Sequence, residues 1–88
     1  MKSVFLASFL SDVKKLRDGK VRYSVAQAIT RVERASTVAN IPSLKRLSGH
    51  HSYFRIRIGD WRIGLKIDLD TVTFVRCLHR REIYRFFP

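Results

Sequence analysis

Residues 53–66 read YFRIRIGDWRIGLK, and their alternation with period two writes a β-hairpin. Phe54, Ile56 and Ile58 fall on one side of the first strand, and Tyr53, Arg55 and Arg57 on the other. Gly59-Asp60 supplies a two-residue turn of the kind that matches strand twist. It sets Ile58 opposite Trp61, Arg57 opposite Arg62 and Ile56 opposite Ile63. Two arginines therefore face one another across the ladder. Like charges directly opposite in a sheet are destabilising, so this face asks for an anion. Gly64, opposite Arg55, has no side chain and leaves room for a ligand to approach the backbone.

Charge narrows the choice of anion. The 88 residues hold 18 Lys and Arg against 7 Asp and Glu, a formal net charge of +11. Such a balance favours polyphosphates or an acidic protein, with nucleic acid first. A membrane surface fits poorly, because the basic residues are not gathered on one helix with a long apolar face. The apolar run at residues 4–10 is interrupted by Ser8 and followed by Asp12, Lys14 and Lys15; it is too short to span a bilayer and makes a poor signal peptide. Cys77 is the single cysteine, which excludes an intramolecular disulfide and a paired-thiol metal motif and suits a reducing, cytoplasmic setting. No metal and no cofactor is implied, since His50 and His51 lack a carboxylate or thiol at a supporting spacing. With no repeat and no low-complexity tract, residues 1–88 read as one domain.

Around the hairpin, residues 3–6 suit a short strand, and Ser8 suits the cap of a helix after it. Phe9, Leu10, Val13 and Leu16 recur at helical spacing, with Asp12, Lys14, Lys15 and Arg17 on the other side. Asp18-Gly19 breaks that helix, and Val21, Val25, Ala28, Ile29, Val32 and Ala35 mark a second. Asn40-Ile41-Pro42 ends the helical part. Residues 43–52 form a basic loop anchored by Leu44 and Leu47. After the hairpin, Trp61, Ile63, Leu65 and Ile67 continue the core face, while Arg62, Gly64 and Lys66 share the arginine face. Asp68-Leu69-Asp70 turns into a last strand, residues 71–78, whose register alternation leaves open: a two-residue and a three-residue loop put Arg76 on opposite faces. The fold class is α+β, a two-helix hairpin on one face of a small, largely antiparallel four-stranded sheet, in the order β-α-α-β-β-β. The other face is left partly bare.

LKRLSG, YFRIRIGDWRIGL and FVRCLHRREIYRFFP, preceded by the two-helix segment from FLSDVKKL to ITRVERA, resemble the RelE/ParE superfamily of toxins from type II toxin-antitoxin modules. The resemblance spans essentially the whole chain and implies the fold just described. Its RelE-like branch consists of metal-independent endoribonucleases that enter the ribosomal A site and cut messenger RNA; its ParE-like branch poisons DNA gyrase. On the RelE-like side, the basic residues of the second strand carry over onto Arg55 and Arg57. An arginine early in the third strand carries over onto Arg62. One near the end of the fourth corresponds to Arg80, with His79 as its neighbour, and a C-terminal tyrosine corresponds to Tyr84. Lys66 and Arg76 join Arg55 and Arg57 as RNA and phosphate ligands. The resemblance also implies a cognate antitoxin whose acidic segment covers or displaces part of the groove, the ribosome and messenger RNA as targets, and higher toxin-antitoxin assembly on operator DNA.

Cleavage through the substrate's own 2′-hydroxyl needs a base, cations around the pentavalent phosphate and an acid for the departing 5′ oxygen. Well-known members carry lysines on the second strand where this chain has arginines, which effectively never deprotonate. His79 is then the favoured acid or base and Tyr84 the alternative. Three readings compete: a ribosome-dependent endonuclease, a ParE-like gyrase inhibitor, and a non-catalytic basic RNA-binding module. Trp61 and Cys77 read as core, and Lys14, Lys15, Arg31 and Arg34 as ordinary solvated faces of helices.

Overall fold

In the computed structural model, which describes residues 1–88, β1 (Lys2–Phe5) leads into α1 (Ala7–Lys14) and α2 (Gly19–Arg34). β2 (Leu44–Arg46), β3 (Tyr53–Ile58), β4 (Trp61–Asp68), β5 (Thr71–His79) and a one-turn α3 (Ile83–Phe86) come after them. The strands form one sheet in the order β1-β5-β4-β3-β2, with β1 parallel to β5 and every other pair antiparallel. The architecture is the α+β sandwich expected, with five strands instead of four. The added strand is β2, expected as loop; Leu44 pairs with Ile56, Lys45 with Arg55 and Arg46 with Phe54. Three residues are too few to display a period of two, and the left-handed Ser43 (φ 62°) just before them reads as loop.

The hairpin forms in the register its sequence dictates, Ile58 opposite Trp61 and Arg57 opposite Arg62. Both tight turns place the first loop residue at positive φ, Gly59 at 56° and Leu69 at 55°. Glycine adopts that conformation freely; Leu69, 95% exposed, does so against its Cβ. One face of the sheet packs Ile56, Ile63, Leu65, Val72, Phe74 and Cys77 against Phe9 and Leu16 and against Val25, Ala28 and Val32 of α2. Asp18 does more than break the chain. Its Oδ1 accepts from the Lys20 N–H at 2.8 Å and so caps α2. No helix is long and apolar enough to cross a membrane.

The register of β5 turns on a bulge. Asp68 pairs with Thr71, so the loop is the two-residue one, and continued regularly it would set Arg76 opposite Ile63 on the core face. Between Leu65↔Phe74 and Gly64↔Arg76, however, Val75 is an extra residue. It moves Arg76 off the core face and leaves Cys77 on it. Ser8, expected as a helix cap, instead donates its hydroxyl to the Val75 carbonyl at 2.6 Å, and Leu6 holds the cap position.

α1 also differs from its expected orientation. Asp12, read as outward, is 5% exposed, while Leu10, read as core, is half-exposed. β1 ends at Phe5, so the second half of β5 has no neighbouring strand on that side, and α1 covers it. Asp12 takes the place of the missing strand by accepting from the Cys77 N–H at 2.9 Å. Cys77 is buried beneath it, and burial, assisted by the Asp12 charge, pushes its thiol up to about 12. A thiol in the unfolded chain ionises near ~8.5, so the folded state holds this proton where the unfolded state releases it. Stability from this group is therefore present below pH ~8.5 and is lost progressively as pH rises towards 12. At pH 8 the native protein should leave a thiol-disulfide reagent unreacted for hours, and urea-unfolded protein should consume it at once.

Candidate functional site

The face opposite the two long helices concentrates positive charge without neutralising it. Lys45 on β2 stands opposite Arg55 on β3, and Arg57 on β3 opposite Arg62 on β4. The chain has two ion pairs, Arg76–Asp12 and Arg80–Asp60, and none of Lys45, Arg55, Arg57, Arg62 and Lys66 belongs to either. Backbone carbonyls hold two of the arginines: Arg62 Nη1 donates to the Gly59 and Trp61 carbonyls at 2.7 and 2.9 Å, and Arg55 Nη1 donates to the Ser43 carbonyl at 3.1 Å. Burial lowers the Arg62 pKa most, followed by the charges of Arg57 and Arg55, with Arg80 acting the same way and Tyr84 opposing. Arg55 and Arg57 alternate on β3, Arg62 stands opposite Arg57 on β4 and Arg80 bonds to the turn between them, so the four form one cationic patch, and Tyr84 shares a groove with Arg55. A phosphate bound on this patch would relieve the repulsion among these cations, most of all when extra negative charge develops on the phosphorus oxygens.

The C-terminal segment borders this patch. Ile83 and Phe87 are buried apart from the main core, and Tyr84 between them is 60% exposed. Phe87 lies on Gly64, where a Cβ would come within 2.8 Å of three ring atoms, and meets Tyr53 edge to face at 5.6 Å. The space left by Gly64 is therefore filled by the protein itself rather than kept for a ligand, and the face is less bare than its sequence implies. Beside this contact an open groove of ≈ 440 Å³ runs between Tyr84 and Phe87 on one side and Lys45, Arg46 and His50 on the other, with Arg55 in its lining. Gly64→Ala should push the Phe87 ring out, lower stability by about 1–3 kcal/mol in urea unfolding and weaken whatever function Tyr84 serves, although no arginine is touched.

Arg80 anchors on the hairpin turn: its N–H donates to the Asp60 carbonyl at 2.7 Å and its side chain pairs with the Asp60 carboxylate at 3.5 Å. Lys66 pairs with Tyr53 in the ladder, its ammonium 6.0 Å from the ring centre. Two residues stand elsewhere than their sequence positions suggest. Arg76, expected among the phosphate ligands, gives its charge to Asp12 through Nε at 2.8 Å and Nη2 at 3.1 Å, and this hydrogen bond raises its pKa. His79, expected beside the arginines, pairs with Trp61, and residues directly opposite in a ladder share a face. It therefore lies on the side away from Arg62, its ring edge-on to Trp61 at 5.5 Å and its Nδ1 accepting from the Arg81 N–H at 3.2 Å. Alternation through the bulge explains that placement. Sequence reading missed Lys45 and Arg46, which β2 carries into the groove; the signal for them was their nearness to Leu44, an apolar anchor in a basic stretch.

Comparison with known proteins agrees with this fold. Residues 4–84 match the family model described as the ParE toxin of the type II toxin-antitoxin system, parDE. Toxin RelE3 of Methanocaldococcus jannaschii is 35% identical over 89 residues, covering the whole of both chains. The chain belongs to the RelE/ParE toxins. A crystal structure of the RelB-RelE antitoxin-toxin complex from Methanococcus jannaschii contains a chain that superposes with a TM-score of 0.81 at 33% identity, covering 97% of this chain and 99% of that one. The toxin-antitoxin complex RelBE2 of Mycobacterium tuberculosis gives 0.70 at 24% identity, over 90% and 96% of the two chains, a likeness of fold. As a RelE/ParE toxin of a type II system, this chain has its clustered arginines on the sheet face that the helical hairpin leaves free.

Proposed function

We propose that this toxin is a ribosome-dependent messenger-RNA endonuclease that stops translation by cutting through the substrate's 2′-hydroxyl without a metal. The observation that carries this reading is the juxtaposition of Arg55, Arg57 and Arg62 on one face of the hairpin, with Arg80 bonded to its turn and Tyr84 lining a groove with Arg55. In the reaction, the 2′ oxygen attacks the adjacent phosphorus, the bond to the 5′ oxygen breaks, and a cyclic phosphate remains on the upstream fragment. Arg55, Arg57 and Arg62 hold the phosphate and neutralise its developing charge, with Lys66 extending the cationic face. Arg80, fixed on Asp60, orients the same phosphate. Tyr84 carries a proton to or from the reacting oxygens. Arg76, engaged by Asp12, and His79, on the far face, are left outside these roles.

A cognate antitoxin is the partner we assign, as the relative from Methanococcus jannaschii is solved in a RelB-RelE antitoxin-toxin complex. An acidic segment would neutralise the arginine face, and docking beside Tyr84 would cover or displace the C-terminal wall. Higher assemblies on operator DNA belong to the same proposal. The test is primer extension on a defined message in a purified translation system, with and without ribosomes. Cuts that need ribosomes support the endonuclease. Growth arrest with an intact message would favour the second reading, a gyrase inhibitor, which the ParE description of the matching family keeps in view.

A further inference from the structure

Arg31 and Arg34, which the sequence presents as an ordinary solvated helix face, adjoin the arginine face. Arg57 lies at the margin of β3 beyond the end of β2, where a cavity of ≈ 240 Å³ opens between the hairpin and α2. Arg31, Gln27, Ser24 and Ser43 line it together with Arg57. A second cavity continues from Arg31 to Arg34, Ser36 and Asn40. Arg31 is common to both, so three guanidinium groups succeed one another from the hairpin onto α2. No carboxylate lines either cavity, and none of the three arginines makes an ion pair. Glu33, the single acid of α2, faces neither.

The chemistry of this path distinguishes between polyanions. Contacts to a nucleic-acid backbone are made by arginine and lysine, by hydroxyl and amide side chains and by backbone N–H groups, and they need little apolar area. A protein partner needs a buried apolar centre within its interface. The exposed large apolar side chains nearest α2, Tyr23 and Val38, line neither cavity, and Val4, Phe5, Leu6 and Leu10 gather instead at β1 and the start of α1.

We propose that α2 carries a second RNA track: the single strand held at the arginine face leaves it at Arg57, crosses the margin of β3 and sets its next phosphates against Arg31 and Arg34. This rests on the reading that RNA is the substrate. The track adds affinity and holds the strand in register, and takes no part in bond breaking.

Binding to uncleavable 2′-O-methyl single strands, a tetranucleotide and a dodecanucleotide, tests the track apart from cleavage. Fluorescence anisotropy across a salt series gives affinity and its salt slope. The wild type should bind the longer strand more tightly. Arg31→Gln with Arg34→Gln should abolish most of that advantage and flatten the salt slope by about 1.4, ~0.7 for each phosphate no longer neutralised. Arg31→Lys with Arg34→Lys should keep the slope. Lys2→Gln with Lys14→Gln, which removes the same charge beside the apolar cluster, should leave both quantities near wild type. Equal effects from the two neutralised pairs would overturn the track, since net charge alone would explain them. So would an α2 variant that binds the longer strand like the wild type, or one impaired only towards duplex RNA or an acidic peptide. A wild type that binds in this pattern but cuts no message refutes the endonuclease reading and leaves the track standing.

Discussion

Arg62→Ala should lower message cleavage by about 100- to 1,000-fold while the protein folds as well as the wild type. The expectation comes from the way Arg62 is held. Its guanidinium is fixed by two carbonyls of its own hairpin and stands opposite Arg57, and neither arginine is paired with an acid. A donor so placed needs no reorganisation when charge develops on the phosphate, which is where such donors act most strongly. The same variant removes half of a like-charge pair across β3 and β4, so its stability in urea should equal or exceed that of wild type by a few tenths of a kcal/mol. Loss of cutting with unchanged or improved stability would identify a cradle maintained against the interest of the fold. A variant that still cuts at the wild-type rate would remove Arg62 from the mechanism, and a variant that fails to fold would show that the hairpin turn depends on its two hydrogen bonds.

Asp12→Ala should lower stability by about 3 kcal/mol, measured by urea unfolding, although the residue belongs to α1 and not to the arginine face. Asp12 accepts three hydrogen bonds, two from Arg76 and one from the Cys77 N–H. Its removal strands a buried amide and leaves Arg76 without its counter-charge. Domains of this size hold ~0.05–0.15 kcal/mol per residue, so the loss is a large part of the whole. Asp12→Asn keeps an acceptor for the amide and should recover part of it. If Asp12→Ala proved as stable as wild type, the joint between α1 and β5 would have to rest on Phe9, Leu16 and the Ser8 hydroxyl on the Val75 carbonyl.

The sequence disclosed what is periodic and concealed what is not. The hairpin at residues 53–66 was readable to the residue because six ladder pairs repeat one rule and a glycine marks the turn. Arg55, Arg57 and Arg62 emerged from that alternation alone. Asp12 reads as outward by its charge, although i, i+3 and i, i+4 spacing sets it on the face of Phe9 and Leu16, and nothing in its neighbourhood announces a distant strand with an unpaired N–H. The bulge at Val75 is written as one more β-branched residue in a run of them, yet it decides where Arg76 and His79 point. β2 was hidden by its length. The family resemblance supplied Arg80 and Tyr84, which periodicity could not reach, because they lie beyond the last strand, Arg80 held by Asp60 and Tyr84 lining the groove with Phe87.

The parallel pairing of β1 with β5 orders events in time as well as in space. Lys2 and its neighbours bond to Thr71 and its neighbours, and α1 rests on the same strand, so the first elements synthesised have no surface to cover until nearly the last have been made. Loop closure across almost the whole chain precedes any reward from these contacts. A ribosome that stalls before β5 consequently releases a fragment with neither core nor cradle. The proposed site is therefore complete only after that strand and the residues beyond it, Arg80 and Tyr84, have been made.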